Sequence, residues 1–257
     1  MFQWSKEDGI VLPLMLVGMI GITVLLWFLL RKKEEKYRKI PLMVITIIIL
    51  VLEVIKQIKN AVDGTYSTWT IPLHFCSLFL YFFPLAVFCK GKVGQFGKVM
   101  SFVTSLWLFA LFYIRPDTII NNSAANPFAS FGMFHTFIYH HLALLFFMVS
   151  VALKFYDIKY KDFIYVVIGF TIYAAIGLTV AHLTGTNYCN MLQNNFEPLE
   201  NFRLQFGQVP YTILMYLGGV AGGIAGCLIY IGFDKLFKFV KNKKTKEKNE
   251  WTFLKKY

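Results

Sequence analysis

The residues best suited to chemistry are a cysteine, Cys76, and five histidines that lie within long apolar stretches. The histidines are His74, His135, His140, His141 and His182. Ionisable side chains are costly inside a bilayer and tend to mark functional sites. A cysteine beside a histidine is the minimal set for a thiol nucleophile, because the imidazole can generate the reactive thiolate. Cys76 is therefore a candidate nucleophile, although a buried cysteine can equally serve as a small apolar side chain.

The histidines also allow a second interpretation, which is a metal site. No two of them are spaced to present two ligands on one face of a helix. A metal site would therefore have to be assembled across helices, from His74, His140 and His182. A lone histidine in a membrane helix more commonly packs or forms a hydrogen bond, and this role is expected for His135 and His141.

Glu53 lies in the same kind of apolar stretch and has two interpretations. The carboxylate could orient a catalytic histidine or hold the amine of a lipid headgroup. It could equally pair with Lys56 one turn later, with both side chains reaching the membrane surface. The sequence favours neither interpretation over the other.

Membrane-spanning helices must position these residues. The chain has 257 residues, of which 57% are hydrophobic and 16% charged, with a mean hydropathy of +0.56, whereas soluble domains have about 25% charged residues. Unbroken apolar runs favour helices over a membrane β-barrel, in which apolar and polar residues alternate. A crossing needs about 20 apolar residues. The sequence thus predicts an all-α, polytopic bundle of about seven transmembrane helices, at residues 10–30, 40–58, 69–88, 99–114, 133–155, 163–185 and 212–233.

Positive charge predicts how these spans are oriented. Of the 26 Lys and Arg residues, 21 fall in connections or a tail that the seven spans place on one side, and five fall on the other side. Because Lys and Arg mark the cytoplasmic side, the N-terminus is expected outside and the C-terminus inside. We expect a single transmembrane domain over residues 1–233 and a basic cytoplasmic tail over residues 234–257. The tail either contacts anionic lipid headgroups or acts as a solvated orientation signal. A nucleic-acid partner is not expected.

The predicted spans place the histidines in one layer of the bilayer. Counting 1.5 Å per residue from the outer ends of their helices, Cys76 and His140 both lie about 10 Å deep. All five histidines fall in the outer half, with His182 near the outer end of the sixth span. The sequence shows neither an internal repeat nor an inverted pair of broken helices with a midplane site, which argues against a transporter. In the last span, glycines at small-xxx-small spacing indicate a packing face: Gly218, Gly219, Gly222, Gly223 and Gly226.

Several short elements resemble those of a known family. The run Pro72-Leu73-His74-Phe75-Cys76-Ser77-Leu78 resembles an element of the YwaF-like bacterial membrane proteins, which are related to transmembrane protein 164 of animals. Glu53 precedes this run, Pro116-Asp117 closes the fourth span, and Gly185-Thr186-Asn187-Tyr188 closes the sixth. The resemblance extends from the second span onward. It implies a multi-pass protein of the cell membrane, and a bacterial plasma membrane is the expected location.

The resemblance also implies an acyltransferase-like enzyme without a cofactor. The animal member is understood to move a fatty acyl group between phospholipids through a cysteine with a histidine partner. Carried over, Cys76 would be the nucleophile and His140 the general base, with a phospholipid or lysophospholipid as substrate. The family has a small residue where this sequence has His141, so the choice of base stays open, as does transfer against hydrolysis. Supporting residues would be His74, Glu53, Asp117, His141, His182, Asn187 and Tyr188.

Overall fold

The computed structural model describes residues 5–120 and 124–254, except for the side chains of residue 117 and residues 240–254. Within these limits the chain is helical and has no β-strand. Ten α-helices occur in this part of the chain, together with short 3-10 turns. In order they are α1 (Asp8–Leu30), α2 (Glu35–Arg38), α3 (Ile40–Val62), α4 (Phe79–Phe88), α5 (Gly91–Ile114), α6 (Pro116–Ile120), α7 (Phe131–Ala152), α8 (Phe163–Thr184), α9 (Glu197–Phe206) and α10 (Gln208–Leu254).

Six helical stretches are long and apolar enough to cross a membrane: Asp8–Leu30, Glu35–Val62, Gly91–Ile114, Phe131–Ala152, Tyr160–Thr184 and Gln208–Phe239. They confirm a polytopic helical membrane protein. The fourth predicted span, residues 99–114, is longer than predicted, because α5 begins at Gly91 and includes two lysines that a hydropathy criterion excludes. At the other extreme, α10 continues without a break into the predicted tail as far as Leu254.

The third predicted span is not the continuous helix that its apolar composition predicts. Residues 69–88 contain a 3-10 turn that ends at Thr70, an extended stretch, a second 3-10 turn (Phe75–Leu78) and then α4. Ile71, with φ −58° and ψ 128°, is extended because the following Pro72 disfavours a helical conformation in the residue before it. We call residues 68–78 the broken segment. The prediction of a continuous membrane-spanning helix over residues 69–88 is therefore wrong.

The glycines of α10 form a packing face, as predicted. A Cβ atom on Gly222 would collide with the Trp107 ring of α5, and one on Gly219 would lie 2.9 Å from the Phe170 ring of α8. Gly226 faces Leu106 in the same way, whereas Gly218 has no neighbouring atom within 4 Å. Glycine therefore allows α10 to approach α5 and α8 closely on one side only.

The contacts between connecting segments show which of them lie at each end of the bundle. At one end Lys98 lies 3.9 Å from Glu35, and Gln95 donates a hydrogen bond to the Asp157 carbonyl. These contacts bring α2, the first turns of α5 and the α7–α8 connection together. At the other end the Thr68 hydroxyl lies 2.5 Å from that of Thr186, which joins the broken segment to the loop after α8. The chain therefore passes between the two ends through the broken segment and α4. We call these the basic end and the polar end of the bundle.

Candidate active site

Side chains from four helices and a loop form hydrogen bonds with the backbone N–H and C=O groups of the broken segment. Non-helical backbone at membrane depth is tolerated only where protein or water satisfies its polar groups. Tyr81 of α4 donates a hydrogen bond to the Pro72 carbonyl at 3.1 Å, and Gln57 of α3 donates to the Thr70 carbonyl at 2.9 Å. Tyr139 of α7 donates to the Cys76 carbonyl at 3.0 Å. The segment is therefore held in one conformation by tertiary contacts rather than by helical hydrogen bonds.

The loop after α8, together with Tyr173 of α8, also forms hydrogen bonds with the broken segment. The sulfur of Cys189 accepts a hydrogen bond from the Phe75 backbone N–H, one residue before Cys76. The Tyr173 hydroxyl of α8 lies 2.7 Å from this sulfur and donates to the Leu73 carbonyl at 3.0 Å. Cys189 has a positive φ of 50°, a conformation that is costly outside glycine. The neighbourhood of Cys76 is thus fixed from both sides.

Helix α7 meets the broken segment with the face that carries Tyr139 and His135. The two rings stack with centroids 5.3 Å apart, one turn from each other. Tyr139 is the ninth residue of α7, so Cys76 lies about 12 Å along that helix. This hydrogen bond brings Cys76 next to the part of α7 that carries the histidines. The residue that makes the contact, however, is Tyr139 and not His140.

Glu53 is the centre of a buried polar cluster on α3. Its carboxylate is 7% exposed and lies 2.8 Å from the Lys56 ammonium. Gln57 donates a hydrogen bond of 2.6 Å to it, and Nε2 of His135 lies 3.4 Å away. Both predicted partner types, a lysine and a histidine, are therefore present. The histidine is His135, which had been expected only to pack or to form a hydrogen bond.

His140 and His141 are both buried, with 6% and 4% exposure, and have the same tautomer. Nδ1 of His140 lies 2.6 Å from the Thr136 carbonyl, and Nδ1 of His141 lies 2.7 Å from the Phe137 carbonyl. A nitrogen that faces a carbonyl must donate its proton, so the lone pair of the neutral ring is on Nε2. In both rings Nε2 has no hydrogen-bond partner among the described residues. A buried, unpartnered ring nitrogen with its lone pair free has the form a general base requires.

The thiol and these rings are not hydrogen-bonded to each other. Within the described ranges, no hydrogen bond joins the Cys76 sulfur to His140 or His141, and the Cys76 side chain is half-buried. His141 packs edge-on against Phe112 of α5, with ring centroids 5.0 Å apart. Catalytic hydrogen bonds commonly form only when substrate is bound, so their absence does not exclude a base.

The remaining residues of the third and sixth predicted spans stabilise the polar end. Nε2 of His74 donates to the Trp69 carbonyl at 3.2 Å, and its ring lies 5.2 Å from that of Tyr188. The hydroxyl of Tyr188 donates to the Thr68 carbonyl. The amide of Asn187 accepts from the Leu192 N–H and donates to the Gln193 carbonyl, which closes its own loop. All these hydrogen bonds are made to backbone groups of the polar end. The proposed role of Asn187 or Tyr188 in stabilising an oxyanion therefore stays a prediction.

Two predicted site residues are not brought into this cluster. His182 is exposed, and none of the described hydrogen bonds, ion pairs or ring contacts joins it to the other candidates. Asp117 lies in α6, but its side chain falls outside the described part of the structure. In the ranges that the structure describes, no three His, Cys, Asp or Glu side chains are grouped so that they could hold a metal ion.

Several residues of the site were not predicted from the sequence. They are the hydrogen-bond donors Gln57, Tyr81, Tyr139 and Tyr173, together with Cys189. Only one of these could have been found from spacing: Gln57 lies one turn after Glu53 on the same helix face. The others come from distant parts of the chain, where a tyrosine in an apolar run carries no distinctive pattern.

The fold and this cluster define a polytopic helical membrane protein with a buried polar site at one end of its bundle. A family model described as the TMEM164 family matches residues 1–230. The chain therefore belongs to the TMEM164 family. No curated protein and no solved structure matches it.

Proposed function

We propose that this protein is a membrane acyltransferase, or an acyl-lipid hydrolase, that transfers a fatty acyl group on phospholipids through a thioester at Cys76. The observation that carries the proposal is the placement of Cys76 in a broken membrane segment whose backbone is fixed by tertiary hydrogen bonds. Such rigidity preorganises a nucleophile. The free Nε2 lone pairs on α7, at the depth of Cys76, supply candidate bases.

The proposed reaction proceeds in two balanced halves. Nε2 of His140 takes the thiol proton, and the Cys76 thiolate attacks the ester carbonyl of a phospholipid. The C–O ester bond breaks, the lysophospholipid leaves with the proton from the imidazolium, and the acyl group stays on sulfur. A lysophospholipid hydroxyl or water then gives its proton to His140 and attacks the thioester, and the sulfur is released and reprotonated. The acceptor decides between transfer and hydrolysis.

The distribution of positive charge supports a site on the outer side of the membrane. The connections at the basic end carry Arg38, Lys98 and Lys154 among other cations, and the positive-inside rule assigns that end to the cytoplasm. The polar end would then face the outer leaflet of the cell membrane. Lipid substrate would reach Cys76 from that leaflet.

A lipid-binding or transport protein is a second candidate, and the broken segment favours it. Broken helices at membrane depth are common where transporters bind their substrates. In that case the thiol would be dispensable, since binding needs the shape and polarity of the site and not a covalent bond. A metal-dependent lipid hydrolase, by contrast, gains no support from the grouping of the described side chains.

The test compares cells that carry wild type, Cys76→Ser or Cys89→Ser, with equal amounts of each variant in the membrane. Cys89 is the matched control, because it follows α4 at the basic end. We expect altered phospholipid acyl composition in Cys76→Ser only, and a hydroxylamine-labile acyl adduct on the purified wild type that Cys76→Ser lacks. Wild-type acyl composition in Cys76→Ser would refute the thioester and favour the transport alternative. Cys76→Ala serves as a second variant if Cys76→Ser does not accumulate.

A further inference from the structure

The basic end of the bundle contains a cavity of about 200 Å³ between the α2–α3 connection, α5 and the end of α7. This space is far larger than a single bound water needs. Four cationic residues line it: Arg38, Lys39, Lys98 and Lys154. It lies at the opposite end of the molecule from Cys76, so its role does not depend on the proposed chemistry.

The carboxylates at this cavity do not balance its cations. Only two acidic residues line it, Glu35 and Asp157. Asp157 is paired with Lys159 at 2.9 Å, outside the set of lining residues. The Glu35 side chain is 71% exposed and approaches Lys98 only to 3.9 Å. Positive charge therefore exceeds negative charge around a space that is large enough for a ligand.

Arg38 is fixed with part of its guanidinium unused. Nη1 donates a hydrogen bond of 3.0 Å to the Leu153 carbonyl, which anchors the side chain to the end of α7. Nε is buried and has no hydrogen-bond partner within the described part of the chain. A guanidinium presents its donors in a rigid fork that matches two oxygens of a phosphate. Because Nε is inaccessible to a water-sized molecule, the donors left for a ligand are those of Nη2, which makes no hydrogen bond among the described residues.

Lys98 supplies a second fixed cation. Its ammonium lies 4.6 Å from the centroid of the Phe155 ring, and its side chain is 20% exposed. The ring holds the ammonium in place by a cation–π interaction without using its hydrogen-bond donors. Both the ammonium and the Arg38 guanidinium thus retain donors for a further acceptor group.

We propose that this cavity binds a phosphate group, with Arg38 and Lys98 as its principal ligands and Lys39 and Lys154 as supporting charges. The Arg38 guanidinium and the Lys98 ammonium have unpaired donors and positive charge. A phosphate group complements both, because it has several acceptor oxygens and negative charge. Basic pockets between membrane helices bind phosphate-bearing lipid headgroups in this way. A headgroup and free inorganic phosphate share this chemistry, and the experiment distinguishes them.

The experiment uses the full chain purified in a neutral detergent at constant ionic strength. Thermal unfolding is followed during titration with dioctanoyl phosphatidylglycerol, dioctanoylglycerol or inorganic phosphate, because a ligand of the native state raises the unfolding midpoint. Dioctanoylglycerol has the same acyl chains but no phosphate group. The variants are Arg38→Gln and Lys98→Gln. Lys33→Gln is the matched control, because it removes one charge from an exposed position in the neighbouring connection.

We expect phosphatidylglycerol or inorganic phosphate to stabilise the wild type. The half-saturating concentration should rise about tenfold in Arg38→Gln and in Lys98→Gln, as for loss of one charged hydrogen bond, and should stay nearly unchanged in Lys33→Gln. Stabilisation by inorganic phosphate identifies a free-phosphate site, and stabilisation by phosphatidylglycerol alone identifies a headgroup site. Equal weakening in all three variants would overturn the proposal in favour of diffuse surface charge. No stabilisation beyond that given by the phosphate-free dioctanoylglycerol would overturn it as well. Lys98→Gln carries the test if Arg38→Gln does not fold.

Discussion

The Tyr139 hydroxyl donates a hydrogen bond of 3.0 Å to the carbonyl oxygen of Cys76, 63 positions earlier in the chain. Tyr139 is 3% exposed, so this bond forms away from water. It joins the helix that carries the buried histidines to the backbone of the proposed nucleophile. The position of the thiol relative to α7 therefore depends on a residue with no expected part in the chemistry.

Replacing Tyr139 with Phe tests this relationship. The change leaves the Cys76 carbonyl unsatisfied, which costs about 1–3 kcal/mol and loosens the segment that holds the thiol. We expect faster labelling of Cys76 by a thiol-reactive lipid analogue and a lower rate of acyl transfer. Tyr165→Phe is the control, because no described hydrogen bond involves its hydroxyl. Equal labelling in both variants would show that the bond does not restrain Cys76.

Comparing His140→Ala with His141→Ala tests which of the two adjacent histidines of α7 is the general base. Loss of a general base lowers the rate by about 10²–10⁴-fold, and we expect this loss in His140→Ala. His141→Ala should mainly reduce stability, because its ring packs against Phe112. Formation of the acyl adduct in a single turnover, measured on equal amounts of folded protein, checks both expectations. A larger kinetic loss in His141→Ala would reverse the assignment.

Glu53→Gln should destabilise the protein strongly. The substitution leaves the Lys56 ammonium without its buried counter-charge, and breaking a buried ion pair costs about 3–5 kcal/mol. The matched control is Asp63→Asn, which removes the exposed pair with Lys59 on the same helix. An exposed pair contributes about 0–1 kcal/mol. Denaturant titration of both variants measures the difference, and similar losses would contradict the assigned role of the buried cluster.

Two glycines of α10 offer a test of helix packing. Gly222→Ala places a methyl group against the Trp107 ring, and overpacking costs about 1–3 kcal/mol. Gly218→Ala meets no atom within 4 Å, so it should stabilise the helix by about 1 kcal/mol. Unfolding midpoints of the two variants should therefore move in opposite directions. A shift of the same sign in both would show that α10 is not packed as described.

The sequence predicts most of the architecture, because apolar length and lysine placement act locally. Six spans and the gathering of the basic connections follow from those two patterns. The broken segment could not be predicted in the same way, since Pro72 restricts only the residue before it and the surrounding residues remain apolar. What stabilises the break is a set of hydroxyl and amide donors such as Tyr139 and Tyr173, which reach it from helices distant in the chain. Likewise, the partner of Glu53 depends on how α3 and α7 pack, so His135 was not expected there.

The uninterrupted course of α10 determines how far its charges can act. Phe237 still lies against Lys154 at the basic end of the bundle, so the remaining turns to Leu254 project about 25 Å beyond it. At physiological ionic strength an electrostatic potential decays over about 8 Å. A helix that continued along this axis away from the bilayer would carry its distal turns beyond the reach of the lipid headgroups, whereas a flexible tail could fold back onto them.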